Sequence, residues 1–486
     1  MSSSTTDTAQ AVRTFIEADR ERIFSQLAEI VAFNSVHNEP GCEADNAAAA
    51  QWVQDRLREA GFAVEAIATT DGSTALLGTK SADAADAPTV LLYSHYDVVP
   101  AGDHAAWESH PFELTERPGA AGNPRWYGRG AADCKGNLVM HLAALRAVEA
   151  AGGTRVNVKV LIEGSEERGG EGLSHLIATR PELFAADVIL IADAGNAKAG
   201  QPTLTTSLRG GAQIEVRVDT LSAAVHSGQF GGAAPDAVKA LMRAIDSLTD
   251  DYGRTVIDGV DCSGVWPGQA YPPEDFAADA QMLPGTEIMG AGDPAGATPV
   301  ADMIWARPAI SVTGFSSTPV EQAVNAVPAT AAANLNLRTP ATMDPQATAE
   351  AVCAHLEAHV PWGAKLSWSI KDANRGFETD PDKPAAKLLA ECLADAYSAG
   401  QDSAQDAGRS AGQGSAQDAA PVSVSAQGMG GSIPLTVELQ EAFPEAEIAL
   451  FGVEEPQCTI HSANESVDPE ELSAIAIAEA LFLTRL

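Results

Sequence analysis

The residues best suited to chemistry in this chain follow apolar runs. VLLYS leads into His95-Tyr96-Asp97, VKVLIEGS into Glu166-Glu167, DVILIA into Asp193, and IALFGVEEPQCTI into His461. Asp133 lies in WYGRGAADCKGN, a Gly-rich loop that opens a helix. Taken singly, each has a plain reading. A His after a strand can be a polar cap, Glu166-Glu167 before Arg-Gly-Gly a solvated turn, and Asp133 a helix N-terminal residue. Taken together, they sit where open α/β sheets gather ligands, beyond the carboxyl ends of the strands. The imidazoles of His95 and His461, with the carboxylates of Asp133, Glu167 and Asp193, make up the nitrogen and oxygen donor set of a dinuclear zinc site.

The elements that must position these groups are legible as periodicities. TFIEADRERIFSQLAEIVAFNSV, from Thr14 to Val36, has helical apolar spacing, and a second helix is expected over about 44–60. The runs from Val90, Val158, Asp187 and Ile448 are continuous and apolar, and NLVMHLAALRAVEAAGG between the first two is helical with a Gly stop. Continuous apolar strands alternating with helices predict an α/β fold with a mostly parallel sheet covered by helices on both faces. The middle of the chain changes pattern. AQIEVRVDT alternates like a half-solvated strand, followed by PDAVKALMRAIDSL, AISVTGFSS, ATAAANLNLRTP, PQATAEAVCAHLEAHV and KLSWSIKDA. That order is β-α-β-β-α-β, a ferredoxin-like α+β unit. The expected division is a first catalytic part over 1–208, an inserted lid or dimerisation domain over 209–375, and a second catalytic part over 376–486. Residues 251–305, rich in Pro, Gly and Asp, read as an irregular excursion, and the SAQDA-rich stretch 398–420 as a surface loop.

Composition sets the bounds. The chain has 486 residues and a formal charge of −36, with 45% apolar residues, which suits two packed domains and argues against nucleic-acid or anionic-membrane partners. The opening MSSSTTDTAQAV lacks the basic and apolar regions of a signal peptide, and no apolar run reaches membrane-span length. The six cysteines are scattered without CxxC spacing, so a reducing cytoplasm is expected.

The motifs SHYDVVP, YGRGAADCKG, EGSEERGG, the strand ending in Asp193, VHSGQFGG and IHSANES occur in an order that resembles the co-catalytic dinuclear zinc metallopeptidases. These include carnosinase-like dipeptidases, aminoacylases, carboxypeptidase G and succinyl-diaminopimelate desuccinylase, and the resemblance spans essentially the whole chain. It implies that His95, Asp133 and Asp193 hold one zinc and that Asp133, Glu167 and His461 hold the other, with manganese or cobalt as alternatives. It implies further that Glu166 is the general base and that Asp97, two residues from His95 on a strand, orients that ring. His226 is implied to stabilise the oxyanion in the partner subunit of a homodimer, with Asn325 assisting. Arg338 is implied to clamp the substrate carboxylate, and Gly431 and Ser432 to line the pocket. Taken locally, His226 is a loop histidine beside a Gly-rich turn, Arg338 a surface arginine and Glu166 a solvated carboxylate. Cys134 stands where the family usually carries Asp or Met, and is expected to pack. The implied activity is hydrolysis of the amide bond of a dipeptide or short peptide. The alternatives are an N-acyl amino acid deacylase on the same scaffold and a non-catalytic binding protein, which would lack a ligand or the base.

Overall fold

The computed structural model describes residues 2–120, 122–408, 422–431 and 433–486. The chain divides into two compact units: Met1–Thr206 with Thr379–Gln427 and Leu435–Leu486, and Ser207–Glu378 with Gly428–Pro434.

The first unit is built on a twisted sheet. Its strands run in the order Ala63–Ala68, Thr74–Lys80, Asn157–Glu163, Thr89–His95, Val188–Ala192, Glu447–Phe451 and Thr203–Leu208. The four central strands, from Asn157–Glu163 to Glu447–Phe451, are mutually parallel, and the flanking ones are antiparallel. Val90, Leu91, Leu92 and Tyr93 are all wholly buried, so both faces of the Thr89–His95 strand are covered. That is why these strands are apolar without alternation. The edge strand Ala63–Ala68 is mostly exposed. Helices Lys135–Ala150 and Pro469–Arg485 pack together over the sheet with Arg20–Val31 and Pro384–Gly408.

Two helical expectations need correction. The helix expected over 14–36 is two helices, Ser2–Ala18 and Arg20–Val31. The break falls at Asp19, whose carboxylate accepts hydrogen bonds from Arg146 Nε at 2.9 Å and Nη2 at 2.5 Å. The second helix ends before Asn34, whose N–H donates to Asp45. The loop expected over 398–420 begins as helix, because Pro384–Gly408 continues past Ser398. The part over 409–420 lies outside the described residues.

The second unit has a four-stranded antiparallel sheet in the order Ala309–Ser316, Thr330–Thr339, Gly210–Asp219, Lys365–Asn374, with helices Ala237–Asp246 and Pro345–His359 against it. This is the ferredoxin-like order. Along Thr330–Thr339 the residues alternate between buried and half-buried, as one covered face requires. The buried ones, including Leu335 and Leu337, meet Ala240, Leu241, Val352 and Leu356 in one core. The excursion holds a short helix, Pro273–Asp279, among turns. The unit starts at Ser207 and its main segment ends at Glu378, against expected limits of 209 and 375. It also takes back Gly428–Pro434, a segment expected to belong with the second catalytic part.

Leu335 is wholly buried in this second core. Leu335→Ala is expected to cost about 2–5 kcal/mol of stability through the cavity it leaves, measurable as a lowered urea midpoint by circular dichroism.

Candidate metal centre

The parallel strands deliver their chemistry to one edge of the sheet. His95 is the last residue of its strand and pairs in register with Glu163. The chain then turns through Gly164-Ser165 into Glu166 and Glu167. A Cβ at Gly164 would lie 2.1 Å from the Tyr96 hydroxyl, so only glycine lets that turn pass so close. Asp193 directly follows Val188–Ala192.

Asp133 lies between the two histidines. Its Oδ1 is 3.2 Å from His95 Nε2, and its Oδ2 is 3.0 Å from His461 Nε2. Asp193 Oδ1 is 3.3 Å from His95 Nε2, and Glu167 Oε2 is 3.1 Å from His461 Nε2. Glu166 Oε2 stands 3.9 Å from His95 Nε2. The structure therefore brings His95, Asp133, Glu166, Glu167, Asp193 and His461 into one cluster, in two halves that share Asp133.

Asp97 braces this cluster from behind. His95 Nδ1 lies 3.1 Å from the Asp97 carbonyl oxygen and 3.3 Å from its carboxylate. The same carboxylate accepts the Glu166 and Glu167 N–H groups, each at 3.1 Å. One buried side chain thus steers the His95 ring and fixes the turn carrying the two glutamates. With Nδ1 donating to Asp97, the His95 Nε2 lone pair faces carboxylate oxygens, an arrangement that is repulsive unless a proton or a cation lies between them. Neighbouring donor atoms stand 3.0–3.3 Å apart. Tetrahedral zinc, with bonds of about 2.0–2.2 Å, separates its ligands by roughly this much. The residues fit a metal pair.

The electrostatics agree. Burial, and then the Asp193 charge, push the Glu166 carboxyl well above its usual range. Burial raises Glu167 to about 7 and also raises Asp193. Burial alone would raise Asp133, but hydrogen bonds from His461 and His95 hold it below the ordinary carboxylate value. His461 is pushed up to about 11, chiefly by its hydrogen bonds to Asp133 and Glu167. So much buried anionic character calls for cations.

Two glutamates absent from the sequence candidates belong here. Glu454, three residues past the Glu447–Phe451 strand, is buried and offers an oxygen near those of Asp133 and Asp193. It also accepts from Asn137 Nδ2 at 3.3 Å. Its signal is the strand-end position itself. Glu465 is wholly buried. Its Oε1 accepts the N–H groups of Ala132 and Asp133, each at 3.1 Å, and its Oε2 accepts Gly130 N–H at 3.0 Å and Arg129 Nη1 at 2.6 Å. It locks the loop of Asp133 to the loop of His461, four residues upstream. Nothing local in IHSANES distinguishes it. His461 itself is exposed and has φ 61°, with Thr459 and Asn464 also left-handed, so the loop is held in a strained form. Cys134 packs as expected, its thiol donating to the Ala192 carbonyl at 3.0 Å, although it lies within ligand reach of His95 and Asp193.

The remaining candidates lie in the second unit. His226 is exposed, and its Nδ1 accepts the Gly228 N–H at 3.1 Å. Its strand residue pairs with Ala326, and Ser227 N–H donates to the Asn325 carbonyl at 2.9 Å, so His226 and Asn325 are neighbours. Arg338 is half-buried on Thr330–Thr339, paired with Gly211. Gly431 is exposed, and Ser432 lies outside the described residues.

Residues 91–484 match the family described as peptidase family M20/M25/M40. The chain is 50% identical over 466 residues to the cysteinylglycine-S-conjugate dipeptidase of Corynebacterium striatum, covering 96% of this chain and 95% of that one. The chain belongs to peptidase family M20/M25/M40. It is an M20 metallodipeptidase, and the acyl-deacylase and scaffold alternatives fall away. The Cys-Gly metallodipeptidase dug1 of Schizosaccharomyces pombe is 36% identical over 175 residues, 35% of this chain and 36% of that one. The M20 fold is shared with human carnosine dipeptidase 1, at a TM-score of 0.75 and 21% identity over 98% of both chains. It is shared likewise with Dug1p of Saccharomyces cerevisiae, at a TM-score of 0.74 and 22% identity over 98% of both.

Glu465→Ala strips the buried Arg129 of its partner and frees the Asp133 loop. The expected loss is about 3–5 kcal/mol of stability, together with a weaker hold on metal. Thermal unfolding, and metal content after dialysis against a mild chelator, check both.

Proposed function

We propose that this M20 metallodipeptidase cleaves cysteinylglycine and its S-conjugates, releasing glycine from the cysteinyl residue. The observation that carries the substrate is the 50% identity, along nearly the full length of both chains, to an enzyme of that name. The site supports amide hydrolysis in general. His95, Asp133 and Asp193 would hold one ion, and Asp133, Glu167 and His461 the other, with zinc the best match to the donor set and manganese or cobalt compatible with it. When bound, the ions lower the pKa of the attacking water and polarise the scissile carbonyl.

Glu166 takes the proton of that water and returns it to the leaving amine. Its position, beside the cluster but 3.9 Å from His95 Nε2, suits a base that is not itself a ligand. Asp97 holds His95 and the Glu166 turn in register. His226 serves as the oxyanion donor. With Nδ1 accepting from Gly228, its Nε2–H is left as an exposed donor. It would act in the partner subunit of a homodimer, with Asn325 beside it. Arg338 receives the substrate's free carboxylate, and Gly431 lines the pocket. All six cysteines are free, which suits a cytoplasmic enzyme. Among the described residues no helix is long and apolar enough to cross a membrane.

Glu166→Ala is expected to keep its metal and lose turnover by about 10²–10⁴-fold. Near-normal hydrolysis of Cys-Gly would remove the base assignment. His226→Ala is expected to be nearly inactive with its metal retained, and mixing it with Glu166→Ala should recover part of the activity in mixed dimers. A panel of Cys-Gly, its S-alkyl derivatives, carnosine and N-acetylglycine tests the substrate, with the first two classes expected to be fastest.

A further inference from the structure

The second unit contains a buried cation that has no counter-charge among the described residues. Arg209 is 7% exposed, in the turn between Thr203–Leu208 and Gly210–Asp219. Its Nη2 donates to the Arg307 carbonyl at 3.2 Å and the Arg338 carbonyl at 3.4 Å, and its Nε has no partner. Among the described residues it forms no ion pair. The charge it faces is another cation: burial, and then the Arg338 guanidinium, pull Arg209 down to about 10. Arg307, close by, is different, because Asp302 neutralises it at 3.4 Å. Arg338 has no carboxylate partner among the described residues either.

The surroundings hold these two arginines together. Arg338 pairs in register with Gly211, two residues beyond Arg209. A Cβ on Gly211 would lie 3.3 Å from Arg338 Cδ and 2.3 Å from the Leu337 carbonyl oxygen, so glycine leaves the arginine stem its space. On the adjacent rung, Thr339 pairs with Gly210, and its buried Oγ1 also lacks a partner. The Arg209 N–H donates to the Met429 carbonyl at 3.3 Å, which ties in the returning Gly428–Pro434 segment. Isolated buried charges are costly, and two like charges with no acid between them are more so. A guanidinium pair kept this way is a standing field for an anion.

We infer that Arg209 is a positioning residue for the substrate's free C-terminal carboxylate. It supplies a second, uncompensated positive charge behind Arg338 and pins the Arg338 backbone, while Arg338 makes the contact. The inference rests on the dipeptidase reading and adds to it that recognition is of a carboxylate, through charge, rather than of any polar terminus.

The test uses the metal-loaded enzyme with Cys-Gly and Cys-Gly amide as paired substrates, with metal content and melting temperature recorded for each variant. Arg209→Gln is expected to raise KM for Cys-Gly about tenfold or more, to change kcat little, and to lower kcat/KM for the amide much less than for Cys-Gly. Arg209→Lys, which keeps the charge, should recover most of the lost affinity. An equal loss on both substrates, or a lysine variant as impaired as the glutamine one, would overturn the inference. Should Arg209→Gln not fold, Arg338→Gln reads the same field: a residual preference for the carboxylate substrate over the amide supports Arg209 as its source, and no preference overturns it. Turnover of N-acetylglycine instead of Cys-Gly would sink the dipeptidase reading alone, since N-acetylglycine and its amide then serve as the pair.

Discussion

Asp133 offers one carboxylate oxygen to His95 and the other to His461, and most of the first unit can be understood as what it takes to hold it there. A carboxylate shared between two imidazoles must be fixed to a few tenths of an ångström, because metal–ligand bonds tolerate little more. Asp133 sits in a loop, so the precision has to be imported. Glu465 supplies it by accepting the Gly130, Ala132 and Asp133 N–H groups and pairing with Arg129. Asp97 plays the corresponding part opposite, accepting the amides of Glu166 and Glu167 while steering His95.

The cost of this arrangement is concentrated buried charge. Glu166, Glu167, Asp193 and Glu454 all titrate above their usual range because burial and mutual repulsion disfavour the ionised forms. Divalent cations reverse that balance, so metal binding and carboxylate ionisation are one coupled event. The second unit carries the opposite imbalance on a smaller scale. Arg209 donates to the Arg338 carbonyl, has no acidic partner among the described residues, and is lowered by burial and then by the Arg338 charge.

Much of this is legible in the order and type of the residues. Continuous apolar runs leading to His95, Glu166-Glu167 and Asp193 mark parallel strands whose ends carry polar groups, since only strands covered on both faces dispense with alternation. The alternating pattern of Thr330–Thr339 likewise reveals the one-sided sheet of the second unit. A single helix over 14–36 is the wrong expectation because apolar spacing runs smoothly through Asp19, while the break there depends on Arg146, far away in the chain. Glu454, just past the Glu447–Phe451 strand, follows from the strand-end rule, whereas His461 lies well beyond that strand end.

The sequence by itself determined the parallel strands of the first unit, the one-sided sheet of the second, and the supply of His and carboxylate side chains beyond the strands, because periodicity and residue type are local properties. Tertiary structure alone decided that Asp133 faces two imidazoles, that Glu465 clamps its loop, that Gly428–Pro434 returns to the second unit, and that Arg209 lies beside Arg338 with no counter-charge among the described residues. Each of these depends on hydrogen bonds or charges between residues distant in the chain or set by burial, and no spacing rule along one chain encodes a burial energy.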